Sequence, residues 1–119
     1  MNGYPWYPRY PNDYLGSRKV GAMNIAEEGV YNRLLDYEWN EPDCTLPADI
    51  SVLKMLTKIM GSPLEPFVNF ELVLKCFKPY GTQSGRMYNP RLRKEWLKMK
   101  QLRRKKSASG KKGMASRWG

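Results

Sequence analysis

The stretch from Asn24 to Pro42 leaves this chain the least conformational freedom. Asn24 stands three residues ahead of Glu27, so an asparagine cap faces a glutamate able to reach back to the cap amide. Val30, Tyr31, Leu34, Leu35 and Tyr37 then recur at helical spacing as far as Trp39, and Pro42 stops the run. The pattern predicts a central core helix, and the rest of the chain has to cover its apolar face. Gly29 inside it costs about 1 kcal/mol against alanine, which a close backbone contact would explain.

The flanking segments supply that cover. Tyr4 to Leu15 interleaves prolines with aromatic rings and predicts an extended strap laid over the core. Rings stacking on single-stranded bases, or self-association through the strap, are the alternatives. A short helix is expected around residues 12–20, ended near Gly21. Thr45-Leu46-Pro47 fits one edge strand. Ala48 to Met60 places Val52, Leu53, Leu56, Ile59 and Met60 on one helical face, with Gly61 as the stop. A further helix is expected up to Phe77, starting at Ser62 or, because Pro66 biases Glu65 away from helical angles, at Pro66. Residues 75–80, the Gly-rich 81–85 and Arg86 to Tyr88 read as strand, turn and returning strand. Asn89-Pro90 then caps and opens a final helix to about Lys106, with Leu92, Trp96 and Met99 on one narrow face.

Helix, short strand, helix, turn, helix and hairpin is the order of a winged helix-turn-helix. The expected fold is mainly α: a winged-helix domain with its strap over residues 1–89, then a basic amphipathic helix and a flexible Gly/Lys-rich tail over 90–119.

Charge divides the chain. Residues 86–119 hold 13 Lys and Arg against the single acid Glu95, while residues 1–85 are slightly acidic. Such asymmetry points to a polyanionic partner. The phosphate-contact candidates are Lys78 and Arg86 on the wing and Arg91, Arg93, Lys94, Lys98, Lys100, Arg103, Arg104, Lys105, Lys106, Lys111, Lys112 and Arg117 beyond it. With about six phosphates engaged, log affinity should fall with log salt at a slope near −5. Gly110 and Gly113 suit a flexible arm. The helix expected at 63–76 carries Glu65 and Glu71 against Lys75, so only Asn69 and Lys75 are candidates for base contacts, and phosphate contacts position the protein without strongly specifying a sequence.

Other chemistries fit poorly. The chain contains no histidine, and Cys44 and Cys76 form no zinc pattern or disulfide framework, so neither catalytic residues, metal ligands nor a cofactor are assigned. Asp36, Glu38, Glu41 and Asp43 read as a solvated acidic edge rather than a magnesium site. Ser109-Gly110-Lys111 lacks the upstream glycine of a phosphate loop. No signal peptide or membrane-length apolar run is present, so a soluble cytoplasmic protein is expected, and the short apolar face of the basic helix argues against a membrane-surface role.

Two longer stretches, Trp6-Tyr7-Pro8-Arg9-Tyr10-Pro11-Asn12-Asp13-Tyr14-Leu15 and the run from Ala26 to Trp39, carry a resemblance, together with Leu46-Pro47 and Gly110-Lys111-Lys112-Gly113-Met114-Ala115-Ser116-Arg117-Trp118. In these the chain resembles a family of small phage and prophage-encoded proteins long catalogued as a domain of unknown function, similar to phage replisome organisers. The resemblance implies a winged helix, a part in phage DNA replication initiation or its regulation, and recruitment of a replicative helicase. It also implies continuation beyond Gly119, and it supplies no catalytic residues. Duplex rather than single-stranded DNA is the expected partner. The alternative is a protein-interaction module docking a helicase, polymerase or host factor, and a homo-oligomer stays open.

Overall fold

The computed structural model describes residues 5–118, with side chains as far as Lys105. Its centre is the expected helix. The preceding short helices are α1 (Pro11–Leu15) and α2 (Arg18–Gly21), in place of one helix over 12–20. Gly16 and Ser17 divide them, and the Ser17 hydroxyl caps α2 by accepting from the Val20 amide. Helix α3 (Ile25–Asn40) opens with both halves of the capping box: Asn24 Oδ1 accepts from the Glu27 amide and Glu27 Oε1 from the Asn24 amide, each at 2.8 Å. A Cβ built on Gly29 meets nothing within 4 Å, so the close contact expected there is absent.

After α3 a 3-10 turn, Pro42–Cys44, carries left-handed backbone at Asp43 and leads into strand β1 (Leu46–Pro47). Helix α4 (Ile50–Leu56) is capped by Asp49 Oδ1 on the Ser51 amide at 2.9 Å. It ends before Met60 because Lys58 turns to φ 62°. The long helix expected over 62–77 is corrected to a 3-10 turn at Glu65–Phe67 and a five-residue helix α5 (Phe70–Leu74). Pro63 and Pro66 each remove an amide donor, and Glu65 ahead of Pro66 is steered away from the α region.

Strands β2 (Lys78–Pro79) and β3 (Arg86–Tyr88) form the expected hairpin around a turn whose Gly81 and Gly85 both sit at φ 66°. The three strands make one antiparallel sheet in the order β1-β3-β2, with Leu46 opposite Met87 and Lys78 opposite Tyr88. Helix α6 (Pro90–Trp118) is continuous and runs on past Lys106, its expected end. Helix-forming Lys, Ala, Met and Arg flank Gly110 and Gly113, and two glycines cost only about 2 kcal/mol between them.

One core joins these elements. Val30, Tyr31, Leu34, Leu35 and Trp39 of α3 pack with Leu46, Leu53, Phe70, Val73 and Met87, and with Leu92 and Trp96 of α6. The core therefore crosses the 89/90 boundary. Tyr7 of the strap lies on Trp39, its ring centroid 5.1 Å away, and its hydroxyl donates to Asp36. That fixes the strap as a cover over α3. Among the described residues no helix is long and apolar enough to cross a membrane.

Candidate nucleic-acid interface

Helix α6 begins as core and ends as charge. Asn89, buried between the hairpin and α3, caps it through Oδ1 on the Leu92 amide at 3.0 Å. Its Nδ2 donates to the Cys76 carbonyl at 2.9 Å and the Tyr31 hydroxyl at 3.2 Å, so one side chain ties α6 to α3 and to the turn between α5 and β2. Pro90 at the first helical position needs no amide partner. Leu92 and Trp96 are buried and Met99 half-buried, whereas residues 101–105 are all exposed. The helix leaves the body near Lys100. At 1.5 Å per residue, the 19 residues from Lys100 to Trp118 extend about 28 Å, and the molecule measures 65 × 33 × 26 Å along its principal axes.

Spacing along α6 gathers Arg91, Lys94, Lys98 and Lys105 into one stripe, since positions i, i+3, i+7 and i+14 fall within a narrow sector of a 3.6-residue helix. All four are exposed. Lys98 lies 3.6 Å from Glu95 and Arg91 pairs with Asp13, both solvent-screened contacts of little strength. Among the described residues no acid pairs with Lys94, Arg104 or Lys105. Arg103 is also exposed. Lys106, Lys111, Lys112 and Arg117 lie outside the residues whose side chains are described.

Other candidates are engaged inside the protein. Arg86 is half-buried and fastens the sheet to the loop before it: Nε donates to Thr45 Oγ1 and Nη2 to the Thr45 carbonyl, both at 3.1 Å, with Glu41 at 3.5 Å. Arg93 lies against the Tyr80 and Tyr88 rings and donates to the Asp43 carbonyl at 3.1 Å. Lys100 sits over the Trp96 ring. Arg86 and Arg93 fix the sheet and α6 to the body while Lys100 covers a ring of its own helix, and sequence spacing alone did not separate these three from the exposed stripe. Lys78 is exposed on β2. Asn69 caps α5, accepting from the Glu71 amide at 3.1 Å, and Lys75 follows the same helix with its carbonyl taken by Lys19. A five-residue helix bearing Glu71 between them makes a poor base reader.

The acidic group 36–43 is split rather than a single solvated edge. Glu38 is fully buried, following Leu34 at i+4 and Leu35 at i+3, a position its place in the apolar period would have disclosed. Oε1 accepts from the Asn89 amide at 2.9 Å and Oε2 from Cys44 Sγ at 3.4 Å. Burial pushes its carboxyl up to about 8, against the pull of these bonds and of Arg93. The Cys44 thiol is also driven up, first by burial and then by Glu38. Among the described residues no group of three or more His, Cys, Asp or Glu is placed to hold a metal ion.

A cavity lies where the strap meets the base of α6. Its volume is about 270 Å³, and Tyr7, Tyr14 and Tyr31 wall it while Arg9, Lys19 and Arg91 reach its rim. No protein-family model, curated protein or solved structure matches this chain.

Proposed function

We propose that this protein is a DNA-binding factor that grips duplex phosphate backbone along α6. The observation carrying the proposal is the exposed stripe Arg91, Lys94, Lys98 and Lys105 on a helix that leaves an otherwise near-neutral body. From Arg91 to Lys105 the stripe runs about 21 Å along the helix, roughly six base pairs of duplex at 3.4 Å each. Clustered cations on one helix face release counterions from the duplex, and that release supplies affinity without reading sequence. In this proposal α3, α4 and α5 are the three helices of a winged helix and β2–β3 its wing. The sheet order β1-β3-β2 and the capped return into α6 support that reading. Replication initiation or its regulation in a phage remains the setting that the family resemblance implies, and recruitment of a helicase belongs to the same proposal.

Neutralising the stripe in the full chain with Lys94→Gln, Lys98→Gln and Lys105→Gln tests the grip. The expected result is a gel-shift affinity lowered at moderate salt, with a salt slope shallower by about three. An unchanged slope would overturn the proposal. Removing all of α6 is uninformative, because Leu92 and Trp96 belong to the core.

A protein-docking reading is favoured by one observation. Ile25 is 85% and Phe67 64% exposed, and Asn24, the residue before Ile25, donates through Nδ2 to the Phe67 carbonyl at 2.8 Å, with Leu64 and Met60 exposed nearby in sequence. Under that reading Phe67→Ser would abolish capture of a purified helicase while leaving DNA affinity intact.

A further inference from the structure

The cavity between strap and α6 is lined by tyrosine rings, which also pack against the core, and by three cations. Tyr14 and Tyr31 lie nearly parallel, 13° apart with centroids at 6.4 Å, and Tyr7 and Tyr10 continue the aromatic lining. Arg9, Lys19 and Arg91 line it with Glu95, and Arg91 is already paired with Asp13, so Arg9 and Lys19 carry the positive charge that no acid pairs among the described residues. Each cation is held in place by the protein. Arg9 lies 4.4 Å above the Tyr14 ring and donates to Asn32 Oδ1 at 2.6 Å; Lys19 Nζ donates to the Lys75 carbonyl at 3.0 Å; Arg91 pairs with Asp13. A guanidinium offers five N–H groups and an ammonium three, so these bonds leave donors over for an incoming anion.

We infer that this cavity receives a nucleoside monophosphate unit, its base against the lining rings of Tyr7, Tyr10 and Tyr31 and its phosphate at Arg9, Lys19 and Arg91. The volume of about 270 Å³ lies just below the ~300 Å³ at which pockets for drug-sized ligands begin, which suits one ring system with a compact substituent. Flat aromatic walls favour a base because every base presents a π-face. Fixed cations at the mouth favour a phosphate over a neutral nucleoside. Choosing a nucleotide among aromatic anions rests on the reading of α6 as a phosphate-binding helix, since Arg91 belongs both to the stripe and to this rim. The unit has two sources, a free nucleotide or the 5′-phosphorylated end of a strand lying along α6.

Titration of the full chain followed by amide NMR, with adenosine monophosphate, adenosine and inorganic phosphate as separate probes, tests the inference. The monophosphate should shift amides of the strap and the first turn of α6 and bind about tenfold or more tighter than either fragment. Arg9→Gln and Lys19→Gln, both at the rim, should each weaken it by about tenfold. The Lys94, Lys98 and Lys105 triple variant should bind the monophosphate as the unaltered chain does. Equal affinity for monophosphate and inorganic phosphate, or binding unaffected by both rim variants, would overturn the inference. A chain that binds duplex DNA but no monophosphate refutes this site and leaves the α6 reading standing; the converse refutes the α6 reading alone. Tighter binding of a 5′-phosphorylated oligonucleotide than of its unphosphorylated twin assigns the unit to a strand end, and equal binding assigns it to the free nucleotide.

Discussion

Glu38→Gln should make the protein more stable at neutral pH and nearly indifferent at pH 5. The native carboxyl titrates near 8 and the unfolded one near 4.5, so the native state holds a proton across that interval that the unfolded chain gives up. Stability from Glu38 is therefore fully present below about pH 4.5 and is lost as pH rises through about 8. At 1.36 kcal/mol per pH unit, the loss between pH 5 and pH 8 is about 3–4 kcal/mol, an upper figure for one buried group. Glutamine keeps an oxygen for the Asn89 amide and the same volume while removing the ionisation. Cys44 and the raised tyrosines Tyr7, Tyr14 and Tyr31 titrate above this interval and leave it clear. Urea unfolding of both proteins at pH 5, 6.5 and 8 measures the effect, with a difference in stability that widens by about 3 kcal/mol as pH rises. Parallel profiles would refute the reasoning, because they would mean that the buried carboxyl keeps its ordinary titration.

Gly29→Ala should stabilise the protein by about 1 kcal/mol in urea unfolding, since its added Cβ meets open space within a helix. Asn89→Ala removes the α6 cap and leaves the Cys76 carbonyl and Tyr31 hydroxyl short of a donor, for a loss of about 2–4 kcal/mol by the same assay. Trp96→Ala should cost about 3–5 kcal/mol in urea unfolding even though it lies in the basic third of the chain, because it is a core residue.

Where local chemistry and tertiary packing agree, the residues disclosed the structure. Asn24 and Glu27 fix the start of α3, Pro42 its end, and Asn89-Pro90 the start of α6, because each acts within one helical turn. The hairpin was legible from the glycines at 81 and 85. The 63–77 segment was not, since its apolar run suits a helix while two prolines break the backbone hydrogen bonds such a helix needs. Within the candidate interface, composition identified the charge but not its allocation. Whether Arg93 faces solvent or two tyrosines depends on Tyr80 and Tyr88, brought beside α6 only by the folded hairpin. The strap cavity left no sequence signal either, because Arg9, Lys19, Tyr31 and Arg91 meet there from four separate segments.

Glu27 serves two helices at once. Oε1 takes the amide that begins α3, and Oε2 takes the Asn69 amide that begins α5, at 2.8 Å each. Five residues are far too few to sustain a helix alone, so α5 inherits its direction from a carboxylate rooted in its neighbour. The two should open as a single unit in hydrogen exchange, and any ligand that reorients one helix will turn the other with it.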